Sequence, residues 1–159
     1  MDYLRSFQSF GESLALISIK QTNYSYGLKY HLIFQNGYKP PIDIAINPDN
    51  GVVQSVKFFI QNERIERNNR KIITTSANFF INIPETVDES NYMNEENALF
   101  RCWINENDIW IVRVEYFSDQ IFSSAIDVNN YILHDNNRFL GLLIKNVTKK
   151  ELAILLDSN

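Results

Sequence analysis

Hydrophobic and polar positions alternate along much of this chain, and the alternation is interrupted by clusters of Asn, Asp, Gly and Pro. The clearest phrase occurs twice. In residues 41–56, Ile42-Asp43-Ile44-Ala45-Ile46 runs into Asn47-Pro48-Asp49-Asn50-Gly51 and resumes at Val52. In residues 131–143, Tyr131-Ile132-Leu133 runs into His134-Asp135-Asn136-Asn137 and resumes at Phe139. Each phrase predicts a β-hairpin, because Asx and Gly residues accept the backbone angles of a tight turn. Ile42, Ile44 and Ile46 share one face of their strand, whereas residues 52–60 carry apolar side chains on both faces and predict a strand covered on both sides over part of its length.

Further strands are expected over residues 13–19, 28–34, 72–83, 98–104, 109–117 and 121–128, from their β-branched and aromatic content. Asn105-Glu106-Asn107-Asp108 reads as a four-residue hairpin connection. The last element is different. Thr148 followed by Glu151 forms a capping box at the start of a helix over 149–155, with Leu152, Ile154 and Leu155 as its buried stripe. Together these elements predict a β-dominated α+β fold, antiparallel β meanders in one or two sheets with a short C-terminal helix; an all-β half-barrel is the alternative. The 159 residues suit a single domain, 1–159. Three strands ending in a hairpin occur around 28–60 and again around 109–144, which divides the chain into pseudo-repeat halves 1–84 and 98–159. Turn chemistry acting separately in two ordinary hairpins is the competing explanation.

Charge and candidate chemistry narrow the function classes. A net charge of −4 and a pI near 5.2 argue against nucleic acid as a partner, since phosphate binding needs a basic patch. The opening Met1-Asp2-Tyr3-Leu4-Arg5-Ser6 lacks a secretory pattern and no apolar run reaches membrane-spanning length, which predicts a cytoplasmic protein without a membrane partner. The single cysteine, Cys102, excludes an internal disulfide and reads as a buried strand residue. His31 reads as packed against a sheet and His134 as a turn residue, and with one cysteine they form no metal-ligand spacing. Five scattered glycines build no phosphate loop. No catalytic residue, metal or cofactor is therefore expected, and the protein reads as a non-enzymatic binder.

The strongest charge feature is the segment 85–97, which holds Glu85, Asp88, Glu89, Glu95 and Glu96 without any Lys or Arg and reads as an exposed loop or irregular edge. Tyr92 interrupts it, and Glu106, Asp108 and Trp110 follow. A solvated loop is the plain reading of such a run. The sharper one takes Asp88, Glu89, Tyr92, Glu95, Glu96, Glu106, Asp108 and Trp110 as a partner-binding surface, with acidic groups to steer a basic partner and aromatic groups to anchor it.

The tail from Tyr131 to Asn146, with its Leu140-Gly141-Leu142 strand, followed by the helix over 149–155, is similar to the closing hairpin and helix of small bacterial domains. As a small, acidic, glycine-poor, β-rich chain, the protein resembles the bacterial immunity proteins of polymorphic and contact-dependent toxin systems. That resemblance implies a protein that neutralises a cognate, basic toxin domain by direct occlusion; it carries over no site residues. The alternative from another class is a small-molecule-binding β-domain or enzyme with a cavity between sheets, lined by His31, Trp103, Trp110 and Tyr116. A third is a domain that pairs through exposed strand edges.

Overall fold

The computed structural model describes residues 2–11, 13–23, 27–35, 40–61, 65–79, 93–114, 120–135 and 138–156. Their strands are β1 (Tyr3–Gly11), β2 (Leu14–Gln21), β3 (Tyr30–Gln35), β4 (Ile42–Ile46), β5 (Val53–Gln61), β6 (Glu66–Arg67), β7 (Thr74–Ser76), β8 (Met93–Asn97), β9 (Phe100–Asn105), β10 (Asp108–Arg113), β11 (Ile121–Ala125), β12 (Asn130–Asp135) and β13 (Arg138–Ile144), followed by helix α1 (Lys149–Leu156). One sheet has the order β1-β2-β5-β4-β3-β8 and the other β6-β9-β10-β13-β12-β11-β7. Among the described residues the fold is β-dominated with one short C-terminal helix, and the sheets are open rather than closed into a barrel.

Both sheets are built on one connectivity. In the first, β1 pairs β2, β2 pairs β5, and β5, β4 and β3 continue as a meander, all antiparallel. In the second, β9, β10, β13, β12 and β11 repeat that order and sense. The repeated phrase seen in the sequence is the β4–β5 hairpin in one sheet and the β12–β13 hairpin in the other. Each has an irregularity in the same place: the register skips Gln54 in β5 and Leu140 in β13, so the second strand carries the extra residue. Gly51, at φ +70°, supplies the positive angle of the first turn, where its amide donates to the Asn47 carbonyl.

The inner faces of the two sheets share one core. Phe34 of β3 stacks on Phe139 of β13 with centroids 4.9 Å apart, and Phe100 of β9 meets Phe58 of β5 edge-on at 5.6 Å. Such pairs add about 0.5–1.5 kcal/mol each beyond area burial. Ile17, Ile19, Ile42, Ile44, Ile60, Ile109 and Ile111 fill the rest of the layer. At one side Arg5 of β1 reaches across the layer: its Nε and Nη2 donate to the Glu151 carboxylate of α1, each at 2.9 Å, and Nη1 donates to Asn130 Oδ1 and to the Lys145 carbonyl. At the other, Arg113 of β10 pairs with Glu96 of β8.

The capping box expected at Thr148 and Glu151 is present in both directions, with the Thr148 amide donating to Glu151 Oε1 at 3.0 Å and the Glu151 amide donating to Thr148 Oγ1 at 3.1 Å. Leu155 closes the core beneath the helix.

The outer face of the second sheet is crossed by chain. Residues 68–73 connect β6 at one margin of that sheet to β7 at the other, and Ile72 packs on an outer cluster of Trp103, Trp110, Val112, Ile121, Leu133, Leu140 and Leu143. Trp103 Nε1 and Asn105 Nδ2 both donate to the Arg70 carbonyl, at 3.0 and 3.2 Å, while the Arg70 guanidinium lies 5.2 Å from the Trp103 ring centroid.

Several sequence expectations shift. β1, formed by Tyr3–Gly11, was not among the expected strands: its inward Tyr3, Arg5 and Phe7 alternate with outward Leu4, Ser6 and Gln8, and the polar Arg5 in the inward set masks the pattern. The strand expected over 72–83 is limited to Thr74–Ser76 among the described residues, because residues before it belong to the crossing segment and Ile73 is 94% exposed. The strand expected over 121–128 ends at Ala125, and Val128 lies in the bend that follows. The connection at Asn105–Asp108 is shorter than expected, since those two residues pair and only Glu106 and Asn107 turn, with Glu106 at φ +54°.

Two consequences are measurable. A Cβ on Gly141 would collide with the Ile111 carbonyl of the neighbouring β10, so Gly141→Ala is expected to lower stability by about 2–4 kcal/mol, read as a fall in the urea midpoint at unchanged m-value. For Glu151, burial by itself raises the carboxyl pKa, but the Arg5 and Thr148 hydrogen bonds and the Arg5 charge outweigh it and hold the group below its ordinary 4.5. Its contribution is therefore complete above the unfolded value and is lost as pH falls through the lower, folded one. Urea midpoints of wild type and Glu151→Gln should differ at pH 7 and converge in acid below 4.5.

Candidate interaction surface

Those residues of the acidic pattern that the structure describes are distributed over two ends of the molecule. Glu95 and Glu96 stand on β8, whose five residues are all exposed. Glu106 lies in the β9–β10 turn and Asp108 follows it, at the far end of strands six residues long, about 20 Å away by strand rise. The structure therefore does not gather them into one patch. Asp88, Glu89 and Tyr92 lie outside the described residues.

The individual roles differ too. Glu96 reaches inward to Arg113, which is 2% exposed and whose guanidinium also lies 5.8 Å from the Phe34 ring centroid. Asp108 Oδ1 accepts the Asn146 amide at 3.2 Å, and the Asn107 carbonyl accepts the Val147 amide at 2.8 Å, so this turn fastens the chain entering α1. Trp110, expected at the surface as an anchor, is 4% exposed and stacks on Trp103 with centroids 6.0 Å apart and planes 7° apart. Its place under the segment 68–73 follows from strand parity, because Trp110 faces outward from a sheet whose outer face is covered. Glu95 is the acidic residue of β8 that remains outward and open.

Backbone pairing fixes where Glu95 sits. β8 runs parallel to β3, with Met93 beside His31, Glu95 beside Ile33 and Asn97 beside Gln35. All six side chains point to the outer face of the first sheet, where His31 Nδ1 lies 2.7 Å from Asp43 Oδ1. His31 and Asp43 are each about one-third exposed. The segment 85–97, expected as loop or irregular edge, thus ends in a regular edge strand. It then crosses to the second sheet: the Ala98 amide donates to the Gln35 carbonyl, and the Leu99 carbonyl accepts the Val114 amide.

The residues suggested for a small-molecule cavity do not converge. Trp103 and Trp110 lie on the outer face of the second sheet and His31 on the outer face of the first, while Tyr116 is outside the described residues. A cavity of about 510 Å³ does open between the sheets, lined by Tyr3, Val53, Phe79, Ser124, Ile126 and Ile132 among others. Burial raises the Tyr3 hydroxyl pKa, helped by the Asp127 charge, and that hydroxyl donates to the Val53 carbonyl at 2.7 Å.

His134, expected at a turn, is instead an interior strand residue. Its Nε2 lies 2.8 Å from the Ala77 carbonyl and its ring is held between Phe79 and Phe122. Cys102, expected as a buried strand residue, stands on β9 but is only partly buried, packed against the core. Among the described residues no group of three or more His, Cys, Asp or Glu side chains is placed to hold a metal ion, and no helix is long and apolar enough to cross a membrane. Compared with known proteins, the chain matches no family model and no curated protein sequence.

Glu95 and Glu96 are neighbours with opposite duties, which a pair of charge reversals separates. Glu96→Lys sets a cation against buried Arg113 and is expected to cost about 1–3 kcal/mol, roughly 3–10 °C in melting temperature. Glu95→Lys should melt within about 1 °C of wild type, as a surface change. Differential scanning calorimetry of the two variants checks this.

Proposed function

We propose that this chain is a non-enzymatic binding protein, an immunity protein that neutralises a cognate bacterial toxin domain by occluding it through an acidic surface. The observation that supports this reading is the presentation of Glu95. A charge on a freely solvated loop has to be ordered when a partner arrives, whereas Glu95 is already held in register by β3 and points outward from an exposed sheet margin. Fixed exposed charge of one sign speeds encounter with a partner of the other. Tyr92, immediately before β8 in the sequence, is the aromatic group suited to anchor the contact once formed.

The partner is then a basic protein domain, and the test uses the toxin domain encoded by the adjacent reading frame. Surface plasmon resonance at two salt concentrations should show slower association for Glu95→Lys, by about ten-fold at low salt, with a weaker or inverted salt dependence. Tyr92→Ala should act on dissociation instead, at a cost of roughly 1–4 kcal/mol. Wild-type kinetics in both variants would remove this surface from the contact.

The cavity between the sheets favours a second reading, a small-molecule-binding β-domain. Its described lining contains no charged side chain, so a neutral ligand is the class it suits.

A further inference from the structure

The acidic margin has a backbone as well as side chains. In a parallel ladder, alternate residues of a strand direct both amide and carbonyl toward the same neighbour. The Ala98 amide donates to the Gln35 carbonyl, which sets the phase: Asn94 and Glu96 turn their backbone groups to β3, and Met93, Glu95 and Asn97 turn theirs away from it. β8 is the last strand of its sheet, and among the described residues no strand pairs with its far side. The three residues therefore offer outward amides and carbonyls on a strand exposed along its whole length.

We propose that this free edge of β8 is a strand-addition site, which takes an extended, Lys- or Arg-rich segment of a partner protein as a further strand of the first sheet. The inference deepens the reading above and rests on it for the partner being a protein. Main-chain hydrogen bonds to Met93, Glu95 and Asn97 supply the docking, and they are indifferent to sequence. The charge selects the occupant. Cross-strand opposite charges stabilise and like charges oppose pairing, and the Glu95 carboxylate stands directly beside the incoming strand. A second copy of this chain is a poorer occupant, because pairing β8 with β8 brings its Glu95 side chains into the same narrow margin.

The experiment selects a phage-displayed random heptapeptide library on the immobilised protein and measures synthetic forms of the enriched peptides. Enriched peptides should alternate Lys or Arg with β-branched residues. Bound to the protein, they should slow hydrogen exchange at the Met93, Glu95 and Asn97 amides by at least about ten-fold, with smaller changes at Asn94 and Glu96, whose amides are already engaged. Glu95→Pro deletes one outward amide without touching a bond to β3, so affinity should fall by roughly ten-fold while the melting temperature holds. Glu95→Gln keeps the amide and should mainly flatten the salt dependence. The proposal is overturned if no peptide is enriched, if enriched peptides carry no cation, if Glu95→Pro binds as tightly as wild type, or if the three amides exchange unchanged. It is also overturned by a concentration-dependent dimer that Glu95→Pro abolishes, which would make the occupant a second copy. Should Glu95→Pro fail to fold, exchange in the wild-type complex decides. A toxin that binds with unchanged amide exchange refutes only the edge, whereas a toxin that does not bind refutes the immunity reading and leaves the peptide result standing.

Discussion

The arrangement of the sheets depends on where the Arg5 guanidinium is allowed to be. A charge taken out of water on the inner side of an edge strand is costly unless most of its donors are met. Here they are met by three different stretches of chain: the α1 carboxylate of Glu151, Asn130 at the start of β12, and the carbonyls of Lys145 and Asn146 after β13. Those acceptors come into range only when β1 lies over that end of the second sheet and the helix is docked, so one side chain couples the first strand of the protein to its last helix. Glu151 is shared between this clamp and the helix cap, which makes the start of α1 part of the same construction. On the opposite side of the core, Glu96 and Arg113 make the corresponding crossing between sheets. The aromatic layer between them supplies area, and the two ionic crossings select one alignment of the sheets from those that apolar contact would tolerate.

Features dictated by local chemistry were legible in the sequence. The hairpins at 41–56 and 131–143 announced themselves because Asx and Gly residues are needed wherever a chain reverses tightly, and the Thr148–Glu151 box because both partners sit within one turn. The shared connectivity of the sheets was visible only as a repeated phrase, since strand order is decided by partners far apart in sequence. β8 was hidden for a related reason. Met93-Asn94-Glu95-Glu96-Asn97 has no apolar alternation, and it is a strand because β3 offers it backbone partners. The crossing segment 68–73 carries a dense run of Asn, Arg and Lys that reads as solvated, although the Arg70 carbonyl is held by two side chains of the sheet beneath.

The candidate surface was read less well than the fold, because composition gives the sign of a charge and not its direction. Glu95 and Glu96 are indistinguishable in a list of acidic residues; strand parity sends one to solvent and the other to a buried arginine. Trp110 carries the chemistry of an interface anchor and is used inside the molecule, stacked on Trp103. Glu106 and Asp108 are near β8 in sequence and distant in space, since β9 carries the chain the full length of the second sheet between them.

The segment that leaves the first five strands and returns to begin the second five does more than connect them. It supplies β6 and β7 to both margins of the second sheet, passes over that sheet's tryptophan-bearing face between them, and then supplies β8 to the margin of the first. Each five-strand unit thus keeps part of its neighbour's wrapping. Severed at the midpoint, neither piece would retain its complement of edges, and the second would bare Trp103 and Trp110 to water. Kinship between the halves, where it exists in the connectivity, is therefore no licence to treat them as modules: this chain is interlaced, and its parts can be exchanged only together.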